Sequence, residues 1–269
     1  MPAAHYAVTG VASGIGAALA ARLLARGCRV TGFDVRPPAG AAFPCHAVDL
    51  GDLASIEPAL AAATGPANSM FSGLCNNAGV SPRPGHEAAI LTINYFAQRA
   101  VTRALLPRLA PGASIVNMAS RAGARWRENL EQVKRLAALN PRDANDVAAF
   151  VRDERIDAVR AYNLSKEALI AWTVAESEAM TARGLRVNAV CPGAVATGLL
   201  TDFAAAFGEA MARNVARAGR PGQPEEIAAV AEFLLDPASS WLRGAEIAPD
   251  GGMGAFAASD ALGLAALRL

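Results

Sequence analysis

The chain of 269 residues has no C-x-x-C pair, no excess charge of either sign and no apolar run long enough to span a bilayer. Its four cysteines, Cys28, Cys45, Cys75 and Cys191, are scattered and have no histidine at zinc-binding spacing. They read as reduced, mostly buried thiols, and no metal site is expected. Lys plus Arg (25) nearly equals Asp plus Glu (24), for a net charge of +1. Without a broad positive field, neither nucleic acid nor a membrane surface is an expected partner. The opening residues Met1-Pro2-Ala3-Ala4-His5 lack the basic start and apolar stretch of a signal peptide, so a cytoplasmic location is expected. Arg22, Pro192 and Asp260 interrupt the most apolar segments.

What the chain does have is apolar residues (53%) arranged in alternating short and long runs, with 18% of residues charged. This is enough to bury a large core. Short runs at 6–8, 29–33, 42–48, 72–75, 114–118, 186–190 and 245–248 read as strands. Amphipathic stretches at 15–26, 90–109 and 162–183 read as helices, the first and last stopped by Gly27 and Gly184. Strands alternating with helices imply βαβ units, and right-handed crossovers then give an α/β fold: a single-domain, doubly wound parallel sheet of about seven strands with helices on both faces. Residues 121–160 break the alternation; they are rich in charge and read as two short helices split at Asn140-Pro141.

The first strand runs into Thr9-Gly10-Val11-Ala12-Ser13-Gly14-Ile15-Gly16. Glycine admits positive φ and close backbone approach, and a helix N-terminus presents free N–H groups with partial positive charge, so this turn suits a phosphate. Its spacing differs from G-x-G-x-x-G, and a tight turn without ligand is the plain alternative. Asp34 ends the second strand, where a carboxylate can accept hydrogen bonds from both ribose hydroxyls of NAD and repel a 2′-phosphate. Arg36 lies two residues on, but no basic residue occupies the glycine turn, and NAD is favoured over NADP.

Tyr162-Asn163-Leu164-Ser165-Lys166 puts a phenol and an ammonium at i and i+4, on one helix face. A neighbouring ammonium and an oxidised nicotinamide both favour phenolate, which would bring the phenol toward the range useful for acid/base work. Ser120 ends the fifth strand, at the edge where a parallel sheet gathers ligand-facing residues. Asn94 sits mid-helix, where asparagine has poor propensity, as either a satisfied core amide or a relay holding water beside Lys166. After the sixth strand, Cys191-Pro192-Gly193-Ala194-Val195-Ala196-Thr197 forms a loop whose Thr197 hydroxyl can meet the nicotinamide carboxamide. Each of these pieces alone has an ordinary structural explanation.

In order along the chain, they resemble the short-chain dehydrogenase/reductase family. The matching pieces are the glycine turn at 9–16, Asp34, Asp49-Leu50, Asn76-Asn77-Ala78-Gly79, Asn94, Ser120, Tyr162 with Lys166, and Pro192-Gly193 with Thr197. Gly219-Arg220-Pro221 and Pro249-Asp250-Gly251-Gly252 close the pattern, which covers roughly residues 5–253. The resemblance implies a Rossmann-type fold and hydride transfer between NAD(H) and an alcohol or carbonyl carbon. Tyr162 would exchange the proton, Lys166 would assist it and bind the nicotinamide ribose, Ser120 would orient the substrate oxygen, and Asn94 would complete a relay. Gly10, Ser13, Gly14, Ile15 and Gly16 would hold phosphate; Asp49, Leu50, Asn76, Ala78 and Gly79 would line the cofactor, and Pro192, Gly193, Val195 and Thr197 its nicotinamide end. A non-catalytic NAD-binding regulator would have lost Tyr162 or Lys166, and both are present.

From Ser120 to Tyr162 is 42 positions, far more than is usual in the family, and the surplus falls in 121–160. With Asn94-Tyr95-Phe96 and Arg121-Ala122-Gly123-Ala124-Arg125-Trp126, this insertion is similar to the coniferyl alcohol dehydrogenase subgroup and, more distantly, to 3α-hydroxysteroid dehydrogenase/carbonyl reductases. That likeness implies a small apolar aryl-alkenyl or cyclic alcohol or its carbonyl, with a hydroxysteroid or alicyclic ketone as the alternative. A homodimer or homotetramer is expected. The insertion is expected to cover the substrate cleft, with Asn129 and Asn145 as N-caps and Trp126 as an aromatic wall.

Overall fold

The computed structural model describes residues 3–64, 70–141 and 144–267. Seven parallel strands run β1 (His5–Thr9), β2 (Arg29–Asp34), β3 (Cys45–Ala47), β4 (Phe71–Asn76), β5 (Leu109–Met118), β6 (Arg186–Val190) and β7 (Glu246–Ile247). Their order across the sheet is β3-β2-β1-β4-β5-β6-β7. The chain winds outward from β1 to β3, returns to the other side of β1, and winds outward again. Tyr6 therefore pairs with Val30 on one side and Gly73 on the other. Every residue of β1 and of β6 is buried, as helices on both faces of a parallel sheet require.

Those helices are α1 (Gly14–Ala25), α2 (Leu53–Thr64), α3 (Glu87–Leu91), α4 (Ala97–Leu105), α5 (Leu130–Ala138), α6 (Ala144–Asp153), α7 (Ala158–Ala182), α8 (Leu200–Ala218), α9 (Pro224–Leu235) and α10 (Met253–Leu262). On one face α1 packs on α9, joining Leu19, Leu23, Ile227 and Leu234 to Val8 and Val116 of the sheet. On the other, α2 packs on α4, and α7 lies over β6. No helix among the described residues is long and apolar enough to cross a membrane.

The expected helix over 90–109 is instead broken. A π turn, Thr92–Phe96, separates α3 from α4, and a 3-10 turn, Leu106–Arg108, closes the run. Pro107 has no N–H to continue the ladder, so β5 begins already at Leu109, five residues before the expected start. Helix α7 starts at Ala158 rather than 162, because the Asp157 side chain caps it by accepting from the Arg160 N–H at 2.7 Å. The sequence reading assigned no helix at α2 or α8.

In the 121–160 segment, of which 142–143 lie outside the described residues, the two expected short helices are α5 and α6. Val133, Leu136, Val147 and Phe150 are buried against the flank formed by α3 and α7. Neither expected cap forms. Asn145 lies inside α6, and the Asn129 side chain, at the N-cap position of α5, instead donates to Glu167 Oε1 at 2.7 Å.

That carboxylate is the stitch between insertion and fold. Glu167, on α7, is 1% exposed. It receives a forked pair from Arg160, NH1 to Oε1 at 3.0 Å and NH2 to Oε2 at 2.6 Å. Arg160 Nε donates to Gln132 on α5, which in turn donates to Glu154. Removing one member of a buried pair strands the other charge. Arg160→Leu should therefore cost about 3 kcal/mol in urea unfolding. Adding Glu167→Leu should restore much of that loss; a double variant as unstable as the single one would show that the pair is not what joins the insertion to α7.

Candidate active site

A cleft of about 970 Å³ opens at the carboxyl ends of the strands, where the strand order reverses between β1 and β4. This is where an open α/β sheet binds its ligand. The glycine turn forms its floor. Gly10 has φ +72, and a Cβ there would come within 2.8 Å of Ala78 Cα. Ser13 occupies the N-cap of α1 but makes no side-chain capping bond, and no acidic residue sits in the first turn. The first N–H groups of α1 are thus left for an anion. Ser13, Gly14 and Ile15 line the cleft, but Gly16 does not. A Cβ on Gly16 would overlap the Gly10 carbonyl oxygen, so this glycine lets the helix sit on the turn.

Asp34 lines the cleft, with Oδ2 accepting from the Ala12 N–H and Oδ1 from the Arg36 N–H, both at 3.0 Å. The carboxylate is therefore fixed to the glycine turn, beside the Arg36 side chain, which also lines the cleft. Asp49 and Leu50 line the same end, and Asp49 Oδ1 accepts from the Gly51 N–H at 2.7 Å. Ala78 and Gly79 line the middle.

Asn76 is misplaced by the expectation. It is 1% exposed and lies beneath the cleft, its Nδ2 donating to Thr102 Oγ1 and Asn117 Oδ1, each at 2.8 Å. As the last residue of β4 it points toward the face covered by α4, and its neighbour turns the other way. That neighbour, Asn77, lines the cleft and donates through Nδ2 to the carbonyls of Thr9 and Gly10 at 3.0 and 3.2 Å. Thr9 Oγ1 accepts from the N–H groups of Asn77 and Ala78. Neither has a site role expected from the sequence, although Thr9 opens the glycine turn and Asn77 lies within Asn76-Asn77-Ala78-Gly79; strand alternation is the signal that separates Asn77 from Asn76.

At the other end the cleft brings together Ser120, Tyr162, Lys166, Pro192, Gly193, Val195 and Thr197. Ser120 lies in extended backbone at the tip of β5 and its Oγ accepts from the Ala122 N–H at 3.1 Å. Lys166 is 5% exposed, and its Nζ donates to the Met118 carbonyl at 2.9 Å. Asn94 lies outside the lining. It is fully buried in the π turn, where Oδ1 accepts from the Val80 N–H at 2.8 Å and Nδ2 donates to the Val80 carbonyl at 3.0 Å. Its amide thus pins the loop at 79–80, where a Cβ on Gly79 would lie 3.0 Å from Asn94 Oδ1 and 3.7 Å from Lys166 Nζ.

The charges do not follow the sequence expectation. Burial pushes the Tyr162 phenol up to about 12, against a smaller lowering by its hydrogen bond with Ser120. Burial also brings the Lys166 ammonium down to about 8. The expected lowering of the phenol by Lys166 is absent because Nζ sits 5.8 Å from the ring centroid and is spent on a carbonyl. Burial shifts both groups toward their neutral forms, although Lys166 keeps its ammonium below about pH 8.

The roof is α8. Phe203 and Phe207 stand edge-on to the Tyr162 ring, with centroids 5.1 and 6.3 Å away. Leu199, Phe203, Phe207 and Met211, four residues apart, all line the cleft, and that spacing was a readable stripe. The helix bends at Gly208, φ 51. Of the described residues in 121–160, only Arg121 and Ala122 line the cleft, so the insertion flanks α7 and the cover comes from α8. Trp126 is not an aromatic wall: its Nε1 donates to Glu246 at 3.4 Å and its ring lies under the Arg127 guanidinium.

The short chain dehydrogenase family model matches residues 4–131, and the enoyl-(acyl carrier protein) reductase model matches 147–254. The chain is 33% identical to a coniferyl-alcohol dehydrogenase of a Pseudomonas species, over 91% of this chain and 94% of that one. It is 30% identical to the 3-alpha-hydroxysteroid dehydrogenase/carbonyl reductase of Comamonas testosteroni, over 92% and 95%. The crystal structure of the 3-alpha-hydroxysteroid dehydrogenase from Pseudomonas sp. B-0831, complexed with NADH, superposes with a TM-score of 0.81 at 31% identity, covering 94% of this chain and 98% of that one. The chain belongs to the short-chain dehydrogenase/reductase family, and it is an oxidoreductase of that family.

Lys166 makes a stability test of the site's electrostatics. Below pH 8 the folded chain holds a desolvated ammonium, a cost the unfolded chain does not bear. Between pH 8 and 10.5 only the unfolded chain keeps that proton, so the cost fades as pH rises. Lys166→Met should therefore melt above the wild type at pH 7, and the gap should narrow toward pH 10. A gap that widens with pH, or a variant that melts lower throughout, would contradict this.

Proposed function

We propose that the protein is an NAD-dependent dehydrogenase that interconverts an apolar aryl-alkenyl or cyclic alcohol with its aldehyde or ketone. The observation that carries this reading is one cleft holding Ser120, Tyr162 and Lys166 at one end under an aromatic roof and Asp34 at the other. The residues fit a nicotinamide dinucleotide: a glycine floor that no Cβ could share and a helix N-terminus left free for phosphate suit its pyrophosphate, and Asp34 suits its adenosine ribose. Bound there, the dinucleotide supplies the hydride acceptor for alcohol oxidation.

The chain's own residues do the rest. Ser120 Oγ holds the substrate oxygen, and Tyr162 Oη takes its proton. Burial of both groups excludes water and keeps the phenol protonated until positive charge arrives nearby. Lys166 holds the ribose and, as an ammonium, favours the phenolate. Asn94 acts as a positioning residue that fixes Gly79 and Val80 beside Lys166. The leading substrate reading is supported by the coniferyl-alcohol relative and by the flat stack of Phe203 and Phe207, centroids 6.3 Å apart at 24°. A hydroxysteroid or alicyclic ketone is the second reading, supported by the likeness to the hydroxysteroid dehydrogenases. A homo-oligomer belongs to this reading too.

Tyr162→Phe should lower kcat by roughly 10²–10⁴-fold in alcohol oxidation while NADH still binds by fluorescence titration. Turnover within a few-fold of wild type would remove Tyr162 from the mechanism. Wild-type kcat/KM should favour NAD over NADP, and Asp34→Ser should erase most of that preference. If NADP is the better cofactor, Arg36 rather than Asp34 reads the ribose.

A further inference from the structure

The end of the cleft that holds Ser120 and Tyr162 is also walled by Ala122, Leu199, Phe203, Phe207 and Met253, and among these apolar groups Arg121 adds a second cation to the buried Lys166. Its backbone N–H donates to the Pro192 carbonyl at 2.9 Å, which seats it across the tips of β5 and β6 directly after Ser120. Its Nε lies 3.1 Å from Asp250 Oδ2. Asp250 is itself 8% exposed, and its two oxygens accept from the N–H groups of Gly252 and Gly254, both at 2.9 Å.

Backbone has been pared away around this pair. A Cβ on Gly254 would come within 2.8 Å of Arg121 NH2, and one on Gly193 within 3.1 Å of Asp250 Cα. The guanidinium is thus held in one place by a buried carboxylate that is itself held by the main chain. Arginine has five N–H donors, and among the described residues the terminal nitrogens of Arg121 make no hydrogen bond. About a third of the side chain (33%) remains exposed, and it lines the cleft. A pair serving only to tie the C-terminal region to the β5 loop would not need a guanidinium on the wall of the cleft.

We propose that Arg121, positioned by Asp250, determines specificity by binding an acceptor oxygen, phenolic or carboxylate, on the part of the substrate remote from the reacting carbinol. This rests on the reading above that the cleft takes an aryl-alkenyl alcohol at Ser120 and Tyr162. Ser120 is to hold the carbinol oxygen, so the oxygen that Arg121 would take is a second one, elsewhere on the substrate. A planar fork meets a carboxylate with two parallel bonds and a phenolic oxygen with one. A site built to hydrogen-bond a substrate oxygen discriminates strongly against the analogue lacking it, because its donors are then left unpaired.

The experiment compares kcat/KM of NAD-dependent oxidation for cinnamyl alcohol, its 4-hydroxy analogue and its 4-carboxy analogue. Wild type should favour at least one oxygenated alcohol over cinnamyl alcohol by about tenfold or more. Arg121→Gln should reduce that ratio about tenfold, chiefly through KM for the oxygenated alcohol, and Arg121→Lys should keep part of it. Asp250→Asn should also lower the ratio, since it releases the guanidinium. The rank of the two oxygenated alcohols tells phenol from carboxylate. Equal ratios in wild type and Arg121→Gln, with all three alcohols turned over, overturn this inference alone; so does a loss in Arg121→Gln that is proportional for all three. No turnover of any of the three by wild type overturns the aryl-alkenyl reading and this inference with it.

Discussion

Thr9 and Asn77 knit together the two strand tips between which the sheet changes direction. One hydroxyl accepts two N–H groups from the chain leaving β4, and one amide returns two bonds to the carbonyls leaving β1. The contact is tight enough that Gly10 can carry no side chain. Everything at the upper edge is positioned from this seam. The glycine turn leads from it into α1 and presents that helix's N-terminus. Asp34, bonded to the same turn, is carried with it. On the β4 side the seam continues through Ala78 and Gly79 to Asn94 and Lys166. A dinucleotide-sized cleft is the space left when strands on either side of such a seam wind away in opposite directions.

What the sequence could disclose follows from how local each cause was. Strands buried on both faces betray themselves as apolar runs, so six of the seven were found close to their true ends. The site residues carried by glycine turns and strand tips were found because sterics and the helix N-terminus act over a few residues. Asn76 and Asn77 show the limit: adjacent and chemically identical, they differ in which way each faces at the end of β4, and only the alternation of strand faces separates them. The break of the 90–109 helix was invisible for another reason. Its π turn buries Asn94 against Val80, a partner that reaches it from the end of another strand.

The roof of the cleft shows a subtler failure. The insertion is the expected cover because it begins directly after Ser120 and ends directly before Tyr162, and no helix is expected over 200–218. Both its helices have one apolar face, yet that face is spent against α3 and α7, and the buried Glu167 ties it there. Amphipathicity says that a helix must pack, not upon what. The stripe Leu199, Phe203, Phe207, Met211 is equally plain in the sequence, but it follows a Pro-Gly loop and is bent at Gly208, so it did not read as one helix. The insertion's place on the outer flank of α7 leaves α8 alone over Tyr162.

Under that roof the fold holds two ionisable groups in conditions that suit neither charge. Tyr162 is pushed toward phenol and Lys166 toward amine by the same desolvation. An apolar lining necessarily does this, since aromatic rings displace the water that would stabilise phenolate and ammonium alike. Lys166 nevertheless keeps its ammonium below about pH 8, so in the proposed reaction it and the bound cofactor would together supply the charge that favours phenolate. In the proposed mechanism, an oxidised nicotinamide held in the cleft would add positive charge that favours phenolate, so Tyr162 would serve as a base only with the cofactor bound. Arg121 fits the same logic from the other side. Its Nε lies against Asp250, so under the proposal its terminal nitrogens would offer donors to an oxygen while the pair adds little net charge near the phenol.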